Sequence, residues 1–188
     1  MGDPARKRAT YDDVLKAPVG AIAEVIDGVL STHPRPAPAH ALASSRLGEE
    51  LGPPLRRGAG GPAGWILLDE PELHLGSEPD ILVPDLAAWR RETLPELPDA
   101  AYLSVRPDWA CEVLSPSTAR HDRRTKVPVY LREGVGHVWL VDPHARTLEV
   151  LGLDGATYRL IATFADAERV RAAPFEAIEL DLALLWAR

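Results

Sequence analysis

The chain has 188 residues, of which 46% are hydrophobic and 26% are charged, and its formal net charge at pH 7 is −7. These values are typical of one soluble globular domain with a real core, and they predict a single domain over residues 1–188 with its core in residues 11–185. The acidic balance argues against a protein that coats nucleic acid electrostatically, but it permits an enzyme that gathers acidic groups around a metal ion.

The single cysteine, Cys111, excludes an intrachain disulfide and an all-cysteine metal site. The sequence contains no apolar run as long as a membrane-spanning helix. The first ten residues are polar and lack the apolar segment of a signal peptide. We therefore expect a cytoplasmic protein that does not associate with membranes.

The N-terminal part predicts a short helix, a hairpin and a long helix. Thr10 is a typical helix cap with an acidic residue three positions later. Residues 21–26 and 29–32 predict two strands joined by a tight Asp-Gly turn. Residues 39–57 have helical periodicity, and we expect a break near Pro53 and Pro54.

The middle of the chain predicts strands at residues 65–68 and 81–89, with a further strand within residues 70–75. Pro84 predicts an edge, an end or a bulge in the second of these strands near Asp85. A continuous apolar stretch around Cys111 follows, which is typical of a strand buried on both faces.

Residues 122–133 predict a helix that ends at Gly134, and Pro128 requires it either to begin at Asp122 or later, or to kink. A buried strand is predicted at residues 137–142, followed by a hairpin of residues 147–153 and 156–163 and a short terminal helix. The order of elements predicts a mixed α+β fold in which strands predominate.

Glu112 lies inside the apolar strand around Cys111, where a charge is unfavourable unless it is paired or holds a metal. Glu24 and Asp85 also fall in or beside predicted strands. If neighbouring strands bring the three carboxylates together, a divalent cation relieves their repulsion, and Mg²⁺ or Mn²⁺ suits oxygen ligands. Lys126 is the candidate that orients water or stabilises developing charge.

Asp122, Lys126 and Tyr130 are spaced four residues apart and predict one helical face directly after the Glu112 strand. Lysine is rare in this chain: Lys7, Lys16 and Lys126 are the only lysines among 21 basic residues. Retention of lysine at position 126 is informative, because lysine and arginine differ in chemistry rather than in charge.

These residues resemble the Uma2-like family, formerly classed as a domain of unknown function and grouped with restriction endonucleases in the PD-(D/E)xK nuclease superfamily. The resemblance covers about residues 11–185. It is carried by Pro84-Asp85, Glu112 within Cys-Glu-Val-Leu-Ser-Pro-Ser-Thr, Asp122, Lys126, Tyr130, residues 134–143, Glu24 within Glu-Val-Ile-Asp-Gly, and His40.

The resemblance implies a restriction-endonuclease-like core, a mixed β-sheet flanked by helices with additional β-hairpins. It implies a metal-dependent endonuclease acting on nucleic acid, with Asp85 and Glu112 as ligands of Mg²⁺ or Mn²⁺. The chain departs from the superfamily formula at Leu114, where lysine is expected. The resemblance to the Uma2-like family implies that the lysine comes from the following helix, which points to Lys126. Glu24 joins the catalytic group, while His40, Asp122 and Tyr130 are possible accessory residues.

Several alternatives remain open from the sequence. Asp80 competes with Asp85 as the acidic ligand. Glu24 could instead be a solvated residue of the hairpin. Lys126 could instead be a surface residue that pairs with Asp122. The alternative functions are a nuclease-fold protein that binds nucleic acid or a protein without cutting, and an interaction module with a structural acidic cluster. DNA is the expected substrate. A homodimer is expected, because cutting both strands of a duplex usually takes two symmetry-related sites.

Overall fold

Two β-sheets meet at Pro84 in the computed structural model, which describes residues 8–57 and 61–187. The strands are β1 (Ile22–Ile26), β2 (Val29–His33), β3 (Trp65–Asp69), β4 (Leu73–Leu75), β5 (Asp80–Leu82), β6 (Leu86–Arg90), β7 (Trp109–Val113), β8 (His137–Asp142), β9 (Thr147–Asp154), β10 (Thr157–Ala165), β11 (Arg169–Val170) and β12 (Leu180–Asp181). The helices are α1 (Tyr11–Leu15), α2 (Pro38–Arg57), α3 (Ala119–His121), a π-helical segment (Asp122–Lys126), α4 (Val127–Arg132) and α5 (Ala183–Trp186).

The larger sheet has six strands in the order β10-β9-β8-β7-β6-β3. Its central strands β7 and β8 are parallel, and the other neighbours are antiparallel. All five residues of β7 are buried, as the continuous apolar pattern predicts. The two hairpins, β1–β2 and β9–β10, are also confirmed. The result is a mixed sheet flanked by helices, the fold that the sequence predicts.

The strand predicted at residues 81–89 is two strands rather than one. Residues before Pro84 form β5, which pairs with β1 and β4 in a four-stranded sheet of order β2-β1-β5-β4. Residues after Pro84 form β6 of the larger sheet. Proline cannot donate a ladder hydrogen bond, so pairing stops there and the chain passes from one sheet to the other. Asp85 consequently lies at the junction of the two sheets.

Helix α2 covers one face of the larger sheet and does not break at its two prolines. Leu47, Leu51 and Leu55 are fully buried in the core on this face. The predicted break near Pro53 and Pro54 was wrong, because both prolines lie inside the helix, which continues to Arg57. The packing of Leu51 and Leu55 on either side of the prolines holds the last turn of the helix in place.

The helix after β7 begins at Ala119, earlier than predicted, and contains a π turn before Pro128. The amide of Val127 donates to the carbonyl of Asp122, five residues back, instead of four. Pro128 follows directly in the first turn of α4, and the π turn before it is the local change of geometry with which the helix accommodates the proline. The π turn leaves Asp122 and Lys126 both buried against the sheets.

The opposite face of the larger sheet carries a second core, which includes Trp89, Tyr130 and Leu140. Cys111 is buried, Trp65, Trp109 and Trp139 pack in the core on the α2 face, and Trp186 is partly buried against that core. Among the described residues, no helix combines the length and the apolar character needed to cross a bilayer.

Candidate active site

A cavity of about 280 Å³ lies where the two sheets meet the π turn. Six of the seven sequence-predicted residues line it: Glu24, His40, Asp85, Glu112, Asp122 and Lys126. The seventh, Tyr130, does not line the cavity, but its hydroxyl group donates a hydrogen bond to Glu112, which does. The structure therefore brings the whole predicted set together.

Glu112 is 2% exposed, and both of its carboxylate oxygens accept hydrogen bonds from the helix that follows β7. Lys126 Nζ donates to Oε2 at 2.7 Å, and the Tyr130 hydroxyl donates to Oε1 at 2.5 Å. The four-residue spacing of Lys126 and Tyr130 places both donors on one helical face, as predicted. Each oxygen keeps a second lone pair with which it can bind a cation.

Lys126 is 4% exposed and is not the surface partner of Asp122 that the competing interpretation required. Besides Glu112, its ammonium group donates to the Val83 carbonyl at 3.0 Å and lies 3.2 Å from Glu24 Oε1. Burial lowers the pKa of Lys126, but Glu112 and Glu24 outweigh burial and raise it above its ordinary value. Lys126 is therefore a buried cation held by two carboxylates and a carbonyl.

Asp85 follows Pro84 directly and precedes the first residue of β6. Leu86 of β6 pairs with Cys111 of β7, and the two strands are antiparallel. The next pair in this register places Asp85 beside Glu112. Its Oδ2 accepts the Val113 amide hydrogen at 2.7 Å, and its Oδ1 lies 3.3 Å from His40 Nε2. Burial lowers the pKa of His40, but Asp85 outweighs burial and raises it.

Asp80, the rival acid, lies elsewhere. Its carboxylate accepts the Asp27 amide hydrogen at 2.7 Å and pairs with Arg132, in a different cavity. This arrangement uses Asp80 to hold the β1–β2 turn, so the cavity at the sheet junction receives Asp85 instead.

Glu24 is 1% exposed rather than solvated. Its Oε1 accepts the Val83 amide hydrogen at 2.9 Å, and its Oε2 lies 3.2 Å from His121 Nε2. Burial raises the pKa of Glu24, but Lys126, His121 and the Val83 amide together outweigh burial and lower the pKa to about 2. Glu24 is consequently an ionised carboxylate in the interior.

Carboxyl groups are crowded together in the cavity. Burial raises the pKa of Glu112 well above its ordinary value, and Lys126 opposes that rise while neighbouring carboxylates add to it. Burial also raises the pKa of Asp122. Four carboxyl groups face the single lysine, and Arg35, which also lines the cavity, is engaged at 3.0 Å by Glu70. A divalent cation among these oxygens would offset the repulsion, so the donor set fits Mg²⁺ or Mn²⁺.

Two further residues that the sequence did not single out lie beside Glu24: His33, which lines the cavity, and His121, which contacts the Glu24 carboxylate. With Glu24 they form a group whose ligand atoms all lie within 4.8 Å of one another. His33 ends β2 and His121 ends α3, so they approach only in the assembled fold. Their sole sequence signal is proximity to recognised positions, His33 before the Pro-rich segment and His121 beside Asp122.

The mixed sheet agrees with the restriction-endonuclease-like fold that the resemblance implies. The carboxylates and the lysine of the expected site are clustered where the two sheets meet. The chain belongs to the Uma2 family, whose model is described as "Putative restriction endonuclease" and matches residues 10–184. No protein of curated function has a significantly matching sequence.

A solved structure shares the fold. It is described as a "putative nuclease belonging to DUF820" from Anabaena variabilis ATCC 29413. The TM-score is 0.71 and the sequence identity is 21%, over 95% of this chain and 97% of that chain. The two proteins therefore share one architecture from end to end.

Proposed function

We propose that the chain is a metal-dependent endonuclease that hydrolyses phosphodiester bonds in DNA. The observation that carries the proposal is the convergence of Glu24, Asp85, Glu112 and Asp122 around the buried ammonium group of Lys126. Membership of a restriction endonuclease family supports it. Because the cavity is lined by several carboxyl groups, it favours binding of a cation, and the bound cation in turn attracts the negatively charged phosphodiester.

Asp85 and Glu112 would hold Mg²⁺ or Mn²⁺ with one oxygen or more from each carboxylate. When bound, the cation supplies charge neutralisation at the phosphoryl group and activation of water. Lys126 orients the attacking water and donates to the charge that develops on the phosphoryl oxygens. All three N–H donors of Lys126 already have an acceptor in the structure, so Lys126 has to release one of these contacts when it donates to the water or to the phosphoryl oxygens.

The remaining residues hold these groups in place. Glu24 keeps Lys126 charged and positioned, and it can serve as a further ligand. His40 orients Asp85, and Tyr130 orients Glu112. Asp122 adds to the negative potential of the cavity from the π turn.

The test is a cleavage assay on duplex DNA, single-stranded DNA and RNA, with Mg²⁺, with Mn²⁺ and with chelator. Cleavage should require the cation, and Asp85→Asn should abolish it. The asparagine oxygen can still accept the Val113 amide hydrogen, so the variant should fold. Asp99→Asn, an exposed change outside the cavity, is the matched control and should cut like wild type.

The binding module without catalysis is the second candidate, and it is favoured because each Glu112 oxygen already accepts a hydrogen bond, from Lys126 or from Tyr130, beside which a metal ion would have to bind. The same samples distinguish the two functions. Retained binding of nucleic acid with no cleavage under any cation would establish the binding module.

We also propose a homodimer, since a duplex has two strands to cut. Strand β10 is an edge of the larger sheet, and its Leu160 and Ile161 are about half exposed. Exposed apolar side chains on an edge strand are suited to a self-complementary contact. Sedimentation that shows only monomer at high concentration would remove this proposal.

A further inference from the structure

A second cluster of metal-ligating groups lies on the side of Glu24 that faces away from Lys126. Glu24 Oε2 is 3.2 Å from His121 Nε2 and 3.9 Å from His33 Nε2. The imidazole rings of His33 and His121 have their centroids 4.8 Å apart. The three groups come from β1, β2 and α3, so the cluster spans the hairpin and the helix that follows β7.

Hydrogen bonds within the cluster do not satisfy all of its polar atoms, and the exception is Nε2 of His33. It is buried and has no hydrogen-bond partner, although it points toward the Glu24 carboxylate. A buried polar atom without a partner costs free energy and calls for an explanation such as an ion. The hydrogen bond between His121 and Glu24 uses only one of the two histidines.

The distances suit coordination of one ion. Two ligands bound to tetrahedral Zn²⁺ at their usual bond lengths are about 3.4 Å apart. The pair Glu24–His121 is already at this separation, and His33 has to approach Glu24 by roughly half an ångström. His33 is half-buried, and the ligand atoms of the three residues lie within 4.8 Å of one another, so the movement of His33 has to bring it toward both Glu24 and His121.

We infer that Glu24, His33 and His121 form a separate site for a transition-metal ion, with Zn²⁺ as the expected ion. Two imidazoles and one carboxylate leave an open position and select borderline metals, whereas Mg²⁺ disfavours nitrogen ligands. The site differs in this way from the oxygen-rich pair Asp85 and Glu112. It goes beyond the proposed nuclease activity and stands whether or not the chain cuts nucleic acid.

Glu24 links the two sites, because one of its carboxylate oxygens faces Lys126 and the other faces the histidines. Oε1 contacts Lys126 and the Val83 amide, while Oε2 faces the two histidines. An ion on Oε2 therefore fixes the carboxylate that positions Lys126. It also ties the β1–β2 hairpin to α3, so Zn²⁺ is expected to raise the temperature of unfolding.

The experiment measures Zn²⁺ uptake by chelator-treated protein in excess Mg²⁺, by dialysis with metal analysis. Co²⁺ absorption serves as the spectroscopic probe of nitrogen ligation. Wild type should bind one equivalent of Zn²⁺, and His33→Asn and His121→Asn should each weaken binding at least 100-fold. His137→Asn is the matched control, since His137 is half-buried in β8 away from the cavity lining, and it should bind like wild type.

The outcomes separate this site from the nuclease site. Asp85→Asn should lose Mg²⁺-dependent cleavage and keep Zn²⁺ binding. Zn²⁺ uptake that depends on Asp85 and is unchanged by either histidine variant would overturn the inference, as would absence of uptake by wild type. If a histidine variant fails to fold, the wild-type Co²⁺ spectrum decides, because bands of a complex without histidine ligands contradict the site.

Discussion

Lys126 Nζ lies 2.7 Å from Glu112 Oε2, and both side chains are buried. Position 114, two residues after Glu112, holds leucine, so the strand that carries the acid does not carry the lysine. The π turn supplies it instead, since it ends at Lys126 and sets that side chain against the sheet junction. A buried charged pair of this kind is strongly coupled, and removal of either partner leaves an uncompensated charge.

Lys126→Met is expected to reduce both stability and cleavage. The loss of a buried cation from a pair costs about 3–5 kcal/mol in the free energy of unfolding, which urea denaturation measures. Cleavage should fall on the order of 10²-fold or more, because the group that stabilises developing charge is gone. Lys126→Arg should also fail in turnover, since a broad guanidinium cannot replace a compact ammonium among three acceptors.

The double variant Lys126→Met with Glu112→Gln separates the two effects. It removes one of the two carboxylates that lose their cation and should recover part of the lost stability, because Glu24 still lacks its ammonium partner. Its cleavage should stay about 10²-fold or more below that of wild type, because the lysine is still missing. Cleavage at the wild-type rate by Lys126→Met would show that Lys126 is not catalytic.

Tyr130→Phe is expected to lower the free energy of unfolding by about 1–3 kcal/mol, measured by urea denaturation. The phenol hydrogen bond to Glu112 is fully buried, so its removal leaves a carboxylate oxygen without a donor. Tyr158→Phe is the matched control: it deletes a hydroxyl bonded to the Val135 carbonyl at 2.6 Å, in a partly exposed position. Equal losses from the two variants would contradict a special role for Tyr130.

The local part of the site could be predicted from sequence. Four-residue spacing after a buried strand predicted that Asp122, Lys126 and Tyr130 share a face, and the structure has Lys126 and Tyr130 both bonded to Glu112. Pro84 predicted that pairing ends near Asp85. Periodicity and the effects of proline depend on residues that are close together in the chain, so they can be predicted from the sequence alone.

The distant part could not be predicted. Glu24 and His121 are 97 residues apart, and their contact exists only because β1 and α3 meet at the junction. The division of residues 81–89 between two sheets depends on which strands pair with each half. The continuity of α2 through Pro53 and Pro54 depends on core packing, which overrides local propensity.

The last prediction concerns the pH dependence of stability and rests on Glu24. Its pKa is lowered from 4.5 to about 2 in the folded protein: burial opposes the shift, and Lys126, His121 and the Val83 amide outweigh burial. A lowered pKa means that the unfolded chain binds a proton more readily than the folded chain does. The contribution of Glu24 is therefore fully present above pH 4.5 and is lost as the pH falls toward 2.

Glu24→Gln should lower the free energy of unfolding by roughly 3 kcal/mol at pH 7, from the size of the shift. Urea denaturation of wild type and variant should show this difference shrinking steadily below pH 4.5, because protonation removes the same charge from wild type. Comparison of the two proteins cancels the titration of carboxylates that they share. Glu49→Gln, which deletes an exposed partner of Arg46, is the control and should cost less than about 1 kcal/mol at every pH. A Glu24→Gln difference that is constant from pH 7 to pH 3 would show that Lys126 does not hold Glu24 ionised.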